Sequence, residues 1–299
     1  MKVFRPMLFT TMKNYSKEQF IKDVISGIIV AIIALPLSIA LALASGVGPE
    51  QGLYTAIIAG FLISFFGGST VQIAGPTAAF ATIVAGIVAT SGMSGLIVAT
   101  VMAGIFLILM GIFHFGSLIK FIPYTITTGF TAGIAVTILI GQLKDFGGIT
   151  YQHGEKPVET VEKFHAFISN IDTINWMAVL VGVICLAILI IWPYINKKIP
   201  GSLIAVVAGI LMVKGLDLKV NTIGDLYTIS NKLPTFALPD LSFGLIKSQL
   251  SNALVIAVLA AIESLLSCVV ADGMVNSKHR SNTELIAQGI GNMGSALFG

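Results

Sequence analysis

From Val24 to Ala44 the chain runs for 21 residues without a charged side chain. A helix rises about 1.5 Å per residue, so a run of this length matches the ~30 Å hydrocarbon layer of a bilayer. The apolar core of a secretory signal is usually about 7–15 residues, so the run is read as a retained first span. The rest of the chain agrees: 56% of its 299 residues are apolar, 10% are charged, and mean hydropathy is +0.95. Such values lie outside the composition of soluble globular domains and define an all-α polytopic membrane protein with the lipid bilayer as its partner.

Apolar segments are expected near 24–45, 52–66, 76–91, 95–115, 121–143, 175–195, 201–214, 252–271 and 284–298, with polar loops near 144–174 and 215–250. Residues 1–22 read as a cytoplasmic amphipathic segment, in which Ser16 and Gln19 form a capping box that opens a short helix. Residues 23–299 read as one transmembrane domain. Lys2, Arg5, Lys13, Lys17, Lys22, Lys120, Lys197, Lys198, Lys278 and Arg280 fall on one side, mostly in short loops. Lys144, Lys156, Lys163, Lys214, Lys219, Lys232 and Lys247 fall on the other, mostly in the two long loops. The bias puts the N-terminus in the cytoplasm of a multi-pass cell-membrane protein.

Other classes are disfavoured. Cys185 and Cys268 lie in separate apolar runs and are expected to be small buried hydrophobes. His114, His153, His165 and His279 are scattered, make no metal-ligand cluster, and are expected to be solvated or interfacial. Net charge is only +3 and the basic residues do not interleave with aromatics, so nucleic acid is not an expected partner. The chain lacks a His-Glu-x-x-His helix, and Glu263 and Asp272 are not poised as a carboxylate pair, so it is not read as an enzyme.

The stretch GGSTVQIAGPTAAF, Gly67 to Phe80, interrupts this hydrophobic pattern. Thr70-Val71-Gln72-Ile73 alternates polar and apolar residues and can run extended with one face on a cavity. Gly67-Gly68 supplies a turn, and Pro76 suits the first turn of a helix, so a half-helix is expected to start at Pro76. The amides of Thr77, Ala78 and Ala79 then face the cavity, where a helix end carries roughly half a positive charge. At an effective dielectric of ~20, half a charge about 4 Å from a monoanion gives on the order of 2 kcal/mol. Millimolar binding needs about 4 kcal/mol, so this end and a few hydrogen bonds suffice for an anion that must also be released.

Between Ala253 and Ala271 the one charged side chain is Glu263, and Ser267 follows it by one helical turn on the same face. A carboxylate inside a membrane normally faces the bundle interior and marks an ion or proton path. The pair can hold Na⁺ through hard oxygen ligands, or Glu263 can carry H⁺.

Three segments, Ala34–Ala56 (ALPLSIALALASGVGPEQGLYTA), Gln72–Phe80 (QIAGPTAAF) and Ile262–Gly299, resemble the SulP anion permeases in sequence and in order. The resemblance implies a 7+7 inverted-repeat transporter fold, of which this chain holds the first repeat and the start of the second. It implies secondary active transport of a small anion (bicarbonate, sulfate or a dicarboxylate) by alternating access. Thr77 and Ala78 match anion-contacting positions, Leu37 and Leu41 match positions that wall the same cavity, and Glu263 and Ser267 match positions that bind Na⁺ or carry H⁺. It also implies a homodimer in the full-length form. A second repeat and a STAS domain would follow Gly299, so the chain is expected to be truncated or a fragment. Alternatives are a nucleobase permease of the same architecture, and a membrane module that does not transport alone.

Overall fold

The computed structural model describes residues 4–121, 124–151, 157–196, 199–229, 232–239 and 241–299. Lys2, His153, Lys156, Lys197 and Lys198, which enter the charge and histidine readings above, lie outside the described residues, as does part of the start of the 121–143 segment. The elements are α1 (Lys17–Ala44), α2 (Pro49–Phe66), α3 (Ala81–Ile112), α4 (Tyr124–Gly147), α5 (Thr160–Ser169), α6 (Trp176–Ile195), α7 (Gly201–Gly215), α8 (Phe243–Val275) and α9 (Ser281–Leu297). No strand occurs among the described residues. By length and composition α1, α6, α8 and the stretch Ala78–Ile112 can each cross a membrane.

Several boundaries differ from expectation for physical reasons. Ser16 does not open a short separate helix. Its Oγ accepts the Gln19 N–H at 3.1 Å and caps α1 itself, while the Gln19 side chain reaches forward to Asp23 at 2.7 Å, so the reciprocal half of the capping box is not made. The N-terminal turns before it are Leu8–Thr11 and Met12–Asn14. α8 starts at Phe243, inside the segment expected to be loop. Its polar residues there have partners: Gln249, almost fully buried, donates to Ser91 Oγ at 2.8 Å, and Asn252 donates to Gln249 at 2.7 Å. The expected 144–174 loop contains α5, opened by a reciprocal capping box between Glu159 and Glu162.

The segments expected at 76–91 and 95–115 follow each other without a loop and are divided by a kink at Gly92, whose φ of 64° and ψ of −172° are open to glycine alone. The stretch from Ala78 to this break covers only about 21 Å, well short of a hydrocarbon layer.

Contacts divide the chain into two units. The first, residues 1–28, 34–131 and 230–299, is built on α3, α8 and α9. Lipid tails are as apolar as leucine, so helices associate in a membrane by close packing rather than by the hydrophobic effect, and small residues line their contacts. Gly104 of α3 and Gly289 of α9 show this: a Cβ on Gly289 would stand 2.5 Å from Gly104 O, and one on Gly104 would stand 2.7 Å from Gly289 O. Around this contact Ala99, Ala103, Leu107, Ala257, Ala261, Leu265 and Leu285 are buried. The second unit, residues 29–33 and 132–229, holds the α6–α7 hairpin, where Cys185 Sγ donates to Ala205 O at 3.4 Å and Trp192 Nε1 donates to Ile199 O at 2.9 Å.

Candidate functional site

The Gly67-Gly68 pair is more than a turn. Gly68 lies flush against the start of α9: its carbonyl accepts the Arg280 N–H at 2.8 Å, and its own N–H donates to Glu284 Oε2 at 2.8 Å. A Cβ at this position would stand 2.3 Å from Arg280 O and 2.9 Å from Glu284 N, so only glycine fits. From here the chain runs without helix to Thr77.

The helix expected at Pro76 begins two residues later. Thr77, with φ −133° and ψ 146°, is the N-cap of a 3₁₀ turn, Ala78–Phe80, that leads into α3. Proline keeps the residue before it extended, and Pro76 thus ends the extended run rather than opening the helix. Thr77 Oγ1 accepts the Ala79 N–H at 3.4 Å and donates its proton to Glu263 Oε1 at 2.5 Å. The Ala79 amide is therefore engaged by the cap, while the amides of Thr77 and Ala78 are taken by no acceptor among the described residues. The free helix end and the half-buried carboxylate of α8, separate features in the sequence, meet at one hydroxyl.

A cavity of about 380 Å³ opens beside them, within the first unit. Pro76, Thr77, Phe80, Glu263, Ser264 and Ser267 line one side, and Gln72 and Gly75 from the extended run also reach it. Thr55 of α2 with Gln288, Asn292 and Ser295 of α9 line another, Ser295 Oγ donating to Thr55 Oγ1 at 3.0 Å. No Lys, Arg or His is among the lining residues, so an anion there would be met by neutral donors and the helix end. From α1 the wall is made by Ala42 and Ser45; Leu37, exposed, and Leu41, half-buried, are not lining residues, nor are Ala78 and Ala79. Glu263 and Ser267 face the cavity together, as their spacing implies.

Three groups near the site were not singled out in the sequence. Gln288 of α9 is nearly buried and donates to Glu284, which has no solvent exposure. His279 is neither solvated nor isolated: its Nδ1 and backbone N lie 2.7 and 2.9 Å from Asp272 Oδ2, and its Nε2 lies 2.9 Å from Ser281 Oγ. Arg280 gathers the N-terminal segment, donating to Arg5 O, Pro6 O and Thr10 Oγ1. A signal was present in SKHRSNTELIAQG, where His, Arg, Glu and Gln crowd an amphipathic start next to an apolar helix. Cys185 and Cys268 are free thiols, Cys268 fully buried.

A helix end with no cationic partner meets a carboxylate of a membrane-length helix beside a cavity lined by no Lys, Arg or His, in a chain of the polytopic membrane class. The model of the sulfate permease family matches residues 20–299, and the chain belongs to that family, whose named relatives are anion transporters. YvdB of Bacillus subtilis (strain 168) is 44% identical over 293 residues, covering 96% of this chain and 54% of its own. The bicarbonate transporter BicA of Picosynechococcus sp. is 32% identical over 290 residues, covering 93% of this chain and 50% of its own. The solved transmembrane domain of a cyanobacterial BicA superposes with a TM-score of 0.79 at 31% identity, over 91% of this chain and 70% of that one. The chain thus spans about half the length of the curated relatives it matches.

Proposed function

We propose that this chain supplies the N-terminal part of a secondary transporter that carries a small oxyanion, bicarbonate or sulfate, across the cell membrane together with Na⁺ or H⁺. The observation that carries the reading is the Thr77–Glu263 hydrogen bond at the mouth of α3. It supports the reading because it holds the helix end, where the anion would sit, within one side chain of the carboxylate. A monoanion about 5 Å from an ionised carboxylate, at an effective dielectric of ~20, is repelled by about 3 kcal/mol. Neutralising Glu263 removes that repulsion, so cation or proton binding and anion binding favour each other. This is what a symporter needs.

Na⁺ at this place would have one carboxylate, Glu263, with the hydroxyls of Thr77 and Ser267; no group of three or more His, Cys, Asp or Glu gathers among the described residues. Hard oxygen ligands of this kind suit Na⁺, and a lone carboxylate also suits H⁺. Movement of the site-bearing helices against the rest of the protein would expose the site to either side in turn. The N-terminus is assigned to the cytoplasm. Family membership leaves the nucleobase-carrier reading without support.

Flux of labelled bicarbonate and of labelled sulfate into liposomes holding the full-length protein, with Na⁺ and H⁺ gradients imposed separately, tests the reading. One of the two anions should accumulate, driven by one of the gradients. Entry of uracil with neither anion moving would overturn it.

A further inference from the structure

Glu284 is a fully buried carboxylate that the proposed transport cycle does not use. No basic side chain pairs with it: the ion pairs among the described residues are Lys22–Glu18 and His279–Asp272. Its oxygens are met by neutral donors, the Gly68 N–H at 2.8 Å, the Gln288 amide at 3.0 Å and the neighbouring Ser69 N–H. An apolar residue of similar volume generally serves stability as well as or better than a buried ionisable group, so the reason for a carboxylate here lies in what it grips.

It grips the root of the extended run. Gly68 is held on both sides by the first turn of α9, through Arg280 N–H and through Glu284. Between Gly68 and Thr77 the backbone makes no backbone-to-backbone hydrogen bond among the described residues. The run is therefore held at its start, Gly68 at Glu284 and Ser69 at Glu284 and Cys268, and at its end, Thr77 at Glu263. A shift at the first end moves the second, because a short extended segment transmits displacement along its length.

We propose that Glu284 is a positioning residue for anion transport: by holding the Gly68 N–H it sets where residues 69–77 run, and so where Thr77 meets Glu263. The proposal rests on the reading of Thr77 and Glu263 as the transport site, but the grip itself can be tested without transport. In the full-length protein with every native cysteine replaced by serine, which at Cys268 keeps a hydrogen-bonding group beside Ser69, a single cysteine is placed at Gln72, which lines the cavity, or at Ile168, exposed in α5. A membrane-impermeant thiol reagent then reports the run and a distant control.

Glu284→Leu fills the space but cannot accept a hydrogen bond. It should change reactivity at position 72 by about fivefold or more, the fold-change that loss of one ordinary hydrogen bond carries, with position 168 unchanged. Transport should show a raised anion KM by a similar factor while the protein stays folded. Glu284→Gln, whose Oε1 still accepts from Gly68, should restore both towards the parent. Glu284→Asp keeps the charge and shortens the reach by one methylene; it should behave as the leucine variant does, and it decides the matter if the leucine variant does not fold. A folded Glu284→Leu or Glu284→Asp protein with parental reactivity at 72 and parental KM overturns the proposal. If the parent moves neither bicarbonate nor sulfate, the transport reading fails while the thiol measurement still decides whether Glu284 holds the run.

Discussion

The Thr77 hydroxyl has one proton, and the structure gives it to Glu263. Replacing Thr77 by valine keeps the shape, removes that donor and uncaps the Ala79 amide. It should weaken anion affinity by about 1 kcal/mol, roughly fivefold in the half-saturating concentration for uptake, with thermal stability in detergent nearly unchanged. Glu263→Gln should leave the anion path open, since an amide oxygen can still accept from Thr77, while abolishing stimulation by the Na⁺ or H⁺ gradient. Gradient-driven accumulation surviving in that variant would make Glu263 structural. Thr77 and Glu263 could be read from sequence because each breaks a local rule: Glu263 is a charge in an apolar run, and Thr77 follows Gly-Pro where a helix should start. That they touch could not be read, since 186 positions separate them. The burial of Glu284 and the pairing of His279 with Asp272 could not be read for a related reason, because their neighbours in sequence are polar and only the fold supplies their partners.

At the scale of elements, the periodicity of the chain located the helices but misplaced ends wherever a polar side chain was satisfied from another element. Gln249 looks like a loop residue until Ser91 of α3 is brought beside it. The break at Gly92 next to Ser91 ends the first part of α3 short of a full span and lets a second part start in a new direction. A Cβ at Gly92 would meet nothing within 4 Å, so the cost of Gly92→Ala is backbone strain alone. That substitution should destabilise by about 1–3 kcal/mol, seen as a lower midpoint of thermal unfolding. Gly289→Val is a different case. Its side chain would collide with the backbone of Gly104, and because α3 and α9 pack too closely to admit it, the two helices must separate. Loss of the folded, monodisperse protein is expected there, whereas an equally stable Gly289→Val variant would show that this contact is not tight.

For the whole molecule the membrane class was legible from composition, and the exposed faces support it. Trp176 and Tyr194 sit exposed near opposite ends of α6, as the aromatic residues of a spanning helix do at the two interfaces. The substrate is less legible because the lining offers neutral donors rather than a shape built around one anion. Coupling, however, has a thermodynamic signature that does not depend on knowing the substrate in advance. If neutralising Glu263 lifts a repulsion of about 3 kcal/mol, a saturating cation or proton concentration should raise anion affinity by roughly a hundredfold. Linkage then requires the anion to raise the affinity for the cation or proton by the same factor. Equilibrium binding to the full-length protein in detergent, titrating each ligand at several fixed concentrations of the other, measures both arms. Equal factors in the two directions, both lost in Glu263→Gln, are expected. Anion binding that is indifferent to Na⁺ and to pH would mean that the carboxylate and the helix end, although joined by Thr77, do not exchange free energy.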